Sequence, residues 1–163
     1  MAVDIFMTID TVKGESTDAS FGGSIDVVSW NWGMTQSGNT HTSTGSGMGK
    51  VSVGDLTFVK AVDSTSPTLA QACCNGTVFK TATVSMRKAG GGAALPYLII
   101  KLQNVIISAL SLASSSSDEQ QMETVTLNFG EFTYDYTSQA SAGTGGATTS
   151  ITWNIPGNSP NLT

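Results

Sequence analysis

The chain has 163 residues, the usual size of one domain with a single hydrophobic core. Only 12% of the residues are charged, whereas 21 Ser, 22 Thr and 18 Gly supply small polar surface. The formal charge of −5 would repel a nucleic acid, and no apolar run approaches the roughly 18 residues of a membrane span. We therefore expect a folded, soluble chain that neither binds nucleic acid nor inserts into a membrane.

The N-terminus and the cysteines predict where the protein is made. Residues 1–10 lack a basic segment and alternate in polarity, which is not the pattern of a Sec signal peptide. Cys73 and Cys74 are adjacent, so a bridge between them would be strained and could not staple the fold. We expect synthesis in the reducing cytoplasm without a Sec signal peptide.

Alternation of apolar and polar residues predicts seven or eight β-strands. In Val3–Ile9 the odd positions are apolar, and in Ser24–Met34 the side chains of Val28, Trp30 and Trp32 share one face. Further alternating segments lie at about 51–58, 78–87, 125–136 and 151–155. This pattern indicates a mainly β protein.

Two glycines coincide with changes of phase in the alternation. Val53 and Leu56 lie in opposite phases on either side of Gly54, and a second change occurs across Gly130. An extra residue in a strand shifts its phase, and glycine is common at such bulges. The segment 51–58 is therefore predicted to be one strand that bends.

The segment Leu95–Leu112 is apolar in both phases, which indicates burial of both faces. Ile99 and Ile107 fall in one phase, and Ile100 and Ile106 fall in the other. A single subunit has one core, so a second copy of the chain is a natural cover for the other face.

One short helix is predicted over residues 66–75. Ser66 reads as its N-cap, Pro67 occupies the first helical position, and Asn75-Gly76 supplies a left-handed stop. Segments rich in Gly, Ser and Thr separate the strands. The one at 37–49 is longer than an ordinary hairpin loop and suggests a functional extension.

The sequence spells out no catalytic or metal site. His41, the single histidine, has no Cys, Asp or Glu beside it, and the two cysteines are interpreted as small buried hydrophobic residues. Gly49-Lys50 lacks the flanking residues of a phosphate loop, and no GxSxG nucleophile motif occurs. We expect no metal, no cofactor and no enzymatic activity.

Two sets of dispersed residues have both a structural and a functional interpretation. Aspartates on several strands are expected on solvated strand faces, because one sequence gives no distance between them: Asp4, Asp10, Asp26, Asp55 and Asp63. Trp30, Trp32 and Trp153 are expected to pack in the core, although three tryptophans can also form a sugar-binding platform.

Several long motifs resemble one family. They are AVDIFMTIDTVKGES, GSIDVVSWNWGMTQSG, VSVGDLTFVKAVDSTSPTLAQACCNG and VTLNFGEFTYDY, and together they span most of the chain. Their sequence and order resemble the Hcp family, the haemolysin-coregulated proteins of type VI secretion systems.

The resemblance implies a compact β-barrel of two antiparallel sheets with one flanking helix. Residues 1–163 would be a single domain with an extended loop at 37–49 and a flexible tail at 156–163. Six copies would form a ring, and rings would stack into the inner tube of an injection apparatus that exports the protein to the extracellular space or a target cell. The implied partners are other copies, the contractile sheath, the spike protein and small effector proteins.

The resemblance also suggests roles for particular residues. Ser29 and Asn31 lie opposite the tryptophans and are candidates for a lumen that binds cargo. Candidates for ring or stacking contacts are Thr40, His41, Met48, Gly90, Gly91, Ile99, Ile100, Ile106 and Ile107. The alternative is a carbohydrate-binding β-sandwich, and a small hydrolase is the weaker third interpretation.

Overall fold

The computed structural model describes residues 3–38, 48–88, 95–116, 119–139 and 145–160. These ranges contain one helix, α1 (Ser66–Asn75), and eleven strands. The strands are β1 (Val3–Ile9), β2 (Ile25–Asp26), β3 (Ser29–Asn31), β4 (Met34–Gly38), β5 (Met48–Val53), β6 (Leu56–Ala61), β7 (Phe79–Lys88), β8 (Leu98–Ala113), β9 (Met122–Asn128), β10 (Glu131–Gln139) and β11 (Gly145–Asn154).

Nine strands form two antiparallel sheets that share the long strand β8. Sheet 1 contains β2, β1, β7, the first part of β8, β10 and β11, whereas sheet 2 contains the rest of β8, β9, β6 and β3. The hairpin of β4 and β5 is a separate two-stranded sheet. The predicted mainly β fold with two antiparallel sheets and one short helix is confirmed.

The segment between β2 and β3 joins the two ends of this strand path. The amide of Val27 donates to Ile5 O of β1 at 3.0 Å, and the amide of Val28 donates to Val59 O of β6 at 2.8 Å. One short stretch of chain therefore bonds to β1 of sheet 1 and to β6 of sheet 2, next to the terminal strands β2 and β3, and brings the two sheets around a common core.

Strand β8 bends where it passes from sheet 1 to sheet 2. Asn104 has a positive φ of 54°, and the amide of Gly130, which lies opposite between β9 and β10, donates to Gln103 O at 3.0 Å. Side chains that face the core change phase across this bend, since Leu102 and Val105 are both buried. The predicted phase change at Gly130 is thus one half of a bend made by two neighbouring strands.

The core lies between the two sheets and beneath α1. Burial of aliphatic and aromatic side chains from both sheets drives its formation, because apolar area leaves water. Its fully buried members include Met7 and Ile9 of β1, Phe58 of β6 and Leu69 of α1. The partly buried Cys73 packs against this core, whereas Cys74 is exposed, so the expectation that both cysteines are buried is wrong for Cys74.

Two predicted strands differ in detail. The strand expected over 24–34 is broken into β2, β3 and the start of β4, and the bent strand expected over 51–58 is two strands in different sheets. The breaks between β3 and β4 and between β5 and β6 share a cause: Gly54 N donates to Gly33 O at 2.9 Å, which closes the base of the β4–β5 hairpin where the chain leaves sheet 2. The break between β2 and β3 lies where Val27 bonds to β1 and Val28 bonds to β6.

The helix has the predicted bounds but not the predicted cap. Thr65 occupies the N-cap position without a side-chain cap hydrogen bond, while Gly76 ends the helix with a left-handed φ of 68°. Ser66 is buried, and its hydroxyl donates a hydrogen bond to Glu123. Within the predicted tail, residues 156–160 form a turn in which Ser159 and Asn154 bond to each other.

Candidate lumen and contact surfaces

The outer face of sheet 2, which faces away from the core, is lined by small uncharged side chains. In one row Asn31 pairs with Thr57, and Thr57 pairs with Thr126, whose hydroxyl lies 3.1 Å from that of Thr57. In the next row Ser29 pairs with Val59. The remaining members of the face are Ala61, Ile106, Ala109, Ser111, Ala113, Met122, Thr124 and Asn128.

Two tryptophans hold the strand that carries Ser29 and Asn31. Trp30 Nε1 donates to Met86 Sδ at 3.2 Å, and Trp32 Nε1 donates to Gly54 O at 3.0 Å. Both indole rings pack against the core. Because neighbouring residues of a strand point to opposite faces, Ser29 and Asn31 are left exposed on the outer face.

Asp55 marks the edge of this uncharged face. It precedes β6, and its carboxylate accepts hydrogen bonds from Ser108 Oγ at 2.8 Å and Asn128 Nδ2 at 2.7 Å. The outer face of sheet 1 is different, because Lys101, Glu131 and Asp135 lie within its strands. Charge is therefore excluded from one outer face and not from the other.

The four isoleucines of β8 divide between the core and the surface. Ile100 and Ile107 are 0% and 3% exposed and belong to the subunit's own core. Ile99 and Ile106 are only partly buried. The predicted phase pairing is thus wrong because of the bend at Asn104, and Ile100 and Ile107 are unsuited to contacting a neighbour.

The other contact candidates lie in or beside the segments at 37–49 and 89–94. Thr40, His41, Gly90 and Gly91 lie outside the described residues. Met48 begins β5 and pairs with Gly38, so this end of the predicted 37–49 loop is a strand of the β4–β5 hairpin. Both ends of the predicted loop therefore belong to strands of the β4–β5 hairpin.

Sequence reasoning missed an apolar face at the end of sheet 1. Tyr134, Tyr136 and Ile151 continue the core-facing side of the sheet onto β10 and β11, yet they are 37%, 48% and 55% exposed. A cavity of about 400 Å³ separates this end of the sheet from the β4–β5 hairpin and is lined by Val51 and Trp153, among others. The subunit's own core does not cover this part of the face.

Sequence reasoning also missed a buried charged cluster at the start of α1. Lys60 Nζ donates to Glu123 Oε1 at 2.6 Å, to Asp63 Oδ1 at 2.8 Å and to Ala61 O at 2.8 Å. Ser66 Oγ donates to the same Glu123 oxygen at 2.8 Å. The cluster ties β6 and β9 of sheet 2 to the helix, and the Lys60 and Glu123 side chains are fully buried.

The cluster changes the protonation of Asp63. Burial alone would raise the pKa of Asp63, but hydrogen bonds from Lys60 and Thr65 outweigh it and hold the pKa below its ordinary value of 3.8. The expectation of solvated aspartates is wrong here. Asp4 is also engaged, since its carboxylate accepts a hydrogen bond from Arg87 at 3.2 Å.

Arg87 fastens the segment before β2 over the outer face of sheet 1. Its guanidinium donates to Asp18 as well as Asp4 and lies 5.2 Å and 5.7 Å from the ring centres of Phe6 and Phe21. The two rings stack at 4.4 Å. Hydrogen bonds from the Ser20 amide first, and then from Arg87, lower the pKa of Asp18.

The structure gives little support to the other interpretations. Trp30, Trp32 and Trp153 are partly buried and pack against the core, so they do not form an open platform for a sugar ring. Within the described ranges, no three His, Cys, Asp or Glu side chains are placed to hold a metal ion. No helix in those ranges has the length and apolar character needed to cross a bilayer.

Comparisons with known proteins identify the family. Residues 6–136 match the profile of the family described as type VI secretion system effector, Hcp. The chain is also 43% identical over 156 residues to protein hcp1 of Pseudomonas aeruginosa, covering 95% of this chain and 96% of that protein. The chain belongs to the Hcp family.

Solved structures agree with this assignment. The fold is similar to Hcp1 from Salmonella typhimurium, with a TM-score of 0.81, 32% identity, and coverage of 98% of this chain and 99% of that one. It is also similar to a type six secretion system protein, with a TM-score of 0.91, 26% identity, and coverage of 98% and 100%. Hcp proteins are secreted, ring-forming tube proteins rather than a family of enzymes.

Proposed function

We propose that this Hcp chain is a structural subunit of the type VI secretion tube. Six copies form a ring, rings stack into the inner tube, and the tube carries small effectors in its lumen. The protein is made in the cytoplasm and leaves through the type VI apparatus. Its other partners are the contractile sheath and the spike protein, and no step needs a cofactor or a catalytic group.

The observation that carries this proposal is the uncharged outer face of sheet 2. A channel for varied cargo needs hydrogen-bonding groups without bulk and without a field that would trap one sign of charge. The rows that contain Asn31, Thr57 and Ser29 meet this requirement. We assign this face to the lumen, with Ser29 and Asn31 as cargo contacts.

The uncovered apolar surfaces support a ring. A closed ring uses two different patches of each subunit, one set against the other. Tyr136 and Ile151 at the end of sheet 1, together with the partly exposed Ile99 and Ile106, supply apolar area that a neighbour can cover. Tyr136 and Ile151 lie on one face and form the clustered apolar surface that is typical of an interface, whereas Ile99 and Ile106 lie on the outer faces of sheet 1 and sheet 2.

Native mass spectrometry at micromolar concentration tests the ring. We expect a hexamer for the wild type and smaller, folded species for Ile99→Asp or Ile106→Asp, because an unpaired charge buried at an interface costs about 3–5 kcal/mol. Ile99→Val and Ile106→Val are the matched controls. A wild-type protein that stays monomeric over this range overturns the ring.

The extended 37–49 segment gives a separate test of stacking. We propose that Thr40, His41 and Met48 contact a neighbour or the next ring, and that Gly90 and Gly91 do the same. Deleting residues 40–47 should preserve the circular dichroism spectrum while reducing tube formation and secretion. Unchanged secretion from the deletion strain contradicts this contact.

A further inference from the structure

Strand β11 lies at the edge of sheet 1 and, among the strands of the described ranges, pairs only with β10. It is ten residues long, with the sequence GGATTSITWN, and its first seven residues are exposed. The strand contains no charged residue and no proline. Beyond the register shift at its start, between Gly145 and Thr148, its outer edge therefore lacks the lysines and prolines with which soluble proteins ordinarily protect a sheet edge from other strands.

Three hydrogen bonds fix which backbone groups of β11 point outward. The amide of Ile155 donates to Gly130 O at 2.9 Å, so the odd-numbered residues exchange hydrogen bonds with β10. The amide of Asn154 instead donates to Ser159 O at 2.9 Å, and the amide of Ser159 donates to Asn154 O at 3.3 Å. The even-numbered residues thus point away from β10.

This alternation places Thr148, Ser150 and Thr152 with both backbone groups directed away from the sheet. The described residues supply no partner for these groups, whereas the turn at 156–160 already occupies Asn154. Three donors and three acceptors in a regular row are the requirement of one further antiparallel or parallel strand. The chemistry that this edge recognises is the backbone of an extended peptide.

Two strands of the chain itself, β4 and β5, belong to neither sheet 1 nor sheet 2. The strands β4 and β5 pair only with each other, and every residue of β4 is exposed. A two-stranded hairpin is marginally stable alone in water, so pairing with a third strand would stabilise it. The β4 sequence MTQSG is uncharged, as is β11, so the two edges can approach without electrostatic repulsion.

We propose that the outer edge of β11 is extended by the β4–β5 hairpin of a second copy, which adds a strand to sheet 1 of its neighbour. This inference rests on the proposed ring, which supplies the second copy. The added strand would run beside Thr148–Thr152 and end at the Ser159 turn, which sets the register. Pairing through the backbone also protects the edge from aggregation.

The test compares two substitutions at the centre of the edge. Ser150→Pro removes one outward amide, and Ser150→Ala keeps it while losing the same side-chain hydrogen bond to Asp135. Neither change touches the backbone hydrogen bonds between β10 and β11, and both remove the same side-chain hydrogen bond to β10. We expect Ser150→Pro to weaken assembly about tenfold or more and Ser150→Ala to assemble as the wild type does, measured by native mass spectrometry across a dilution series.

The outcomes separate the edge contact from the ring itself. Equal assembly of Ser150→Pro and Ser150→Ala in a hexameric wild type overturns the edge contact and leaves the ring standing, whereas a monomeric wild type overturns the ring. If Ser150→Pro fails to fold, hydrogen exchange in the wild-type ring decides. Outward amides of Thr148, Ser150 and Thr152 that exchange as slowly as the inward amides of Thr149 and Ile151 support the contact, and fast outward exchange overturns it.

Discussion

The two faces of sheet 2 reverse the usual distribution of charge. The core face ends in Lys60 and Glu123, which are fully buried and bonded to each other. The outer face, which is accessible to solvent, has Asn31, Thr57 and Thr126 in its strands and no charged residue until Asp55 at its edge. Ordinary folds place charge in water and apolar groups inside.

The contrast indicates that each face has a separate task. Buried charge is costly unless it is paired, so Lys60 and Glu123 hold β6, β9 and α1 in one fixed arrangement. Exposed small polar groups contribute little to stability, so the outer face is free to be shaped for contact with other molecules. Substitutions on the two faces should therefore have different effects.

The largest expected effect on stability comes from breaking the buried pair. Glu123→Ala leaves Lys60 buried with Asp63 as its remaining charged partner, and should lower the free energy of unfolding by about 3–5 kcal/mol. Urea denaturation measures this. The double variant Lys60→Met/Glu123→Leu should recover most of the loss, because two apolar side chains leave no unpaired charge. A double variant as unstable as Glu123→Ala contradicts the explanation.

A charge on the outer face should change cargo binding but not folding. Asn31→Arg places six guanidinium groups in one pore of the proposed ring, and we expect small effectors to be lost from pull-downs while the fold and the hexamer persist. Asn31→Gln is the neutral control of similar length. Full effector recovery with Asn31→Arg shows that residue 31 does not face the channel, and loss of the hexamer places it in an interface.

A smaller effect is expected from acid. The pKa of Asp63 is lower in the folded chain than its ordinary value of 3.8, so its contribution to stability is complete above that value and is lost as the pH falls below it. The stability gap between the wild type and Asp63→Asn should narrow below about pH 3.8. A gap that stays constant from pH 6 to pH 3 rules out this role of the carboxylate.

The smallest effect should come from a hydroxyl on the outer face. Thr57→Val removes the 3.1 Å contact with Thr126, and the remaining hydroxyl can bond to water. We expect a change of less than about 1 kcal/mol in the free energy of unfolding. A loss of unfolding free energy as large as that of Glu123→Ala would contradict the expectation that side chains on the outer face contribute less to stability than the buried pair.

Much of the fold could be predicted because local signals are strong. Alternation identified most strands, and Pro67 with Gly76 gave the bounds of the helix. The breaks at Gly33 and Gly54 could not be predicted, because they depend on a hydrogen bond between these two residues, which are distant in sequence. The exposure of Ser29 and Asn31 followed from alternation with the tryptophans, whereas their role in a lumen rests on the family.

The buried cluster and the contact surfaces could be recognised only in the three-dimensional structure. Lys60 and Glu123 are 63 positions apart, and each alone reads as a solvated strand residue. Their meeting depends on the pairing of β6 with β9. The inward direction of Ile107 depends on the positive φ of Asn104, which alternation within one strand does not reveal.

Strand β8 has a mechanical consequence for the proposed tube. Its 16 residues hydrogen-bond to β7 and β10 of sheet 1 and then to β9 of sheet 2. A load applied to one sheet therefore reaches the other along a continuous covalent backbone and not only across side-chain contacts. Peeling β8 out of either sheet requires rupture of rows of backbone hydrogen bonds, so in the proposed tube this strand would resist separation of the two sheets under load.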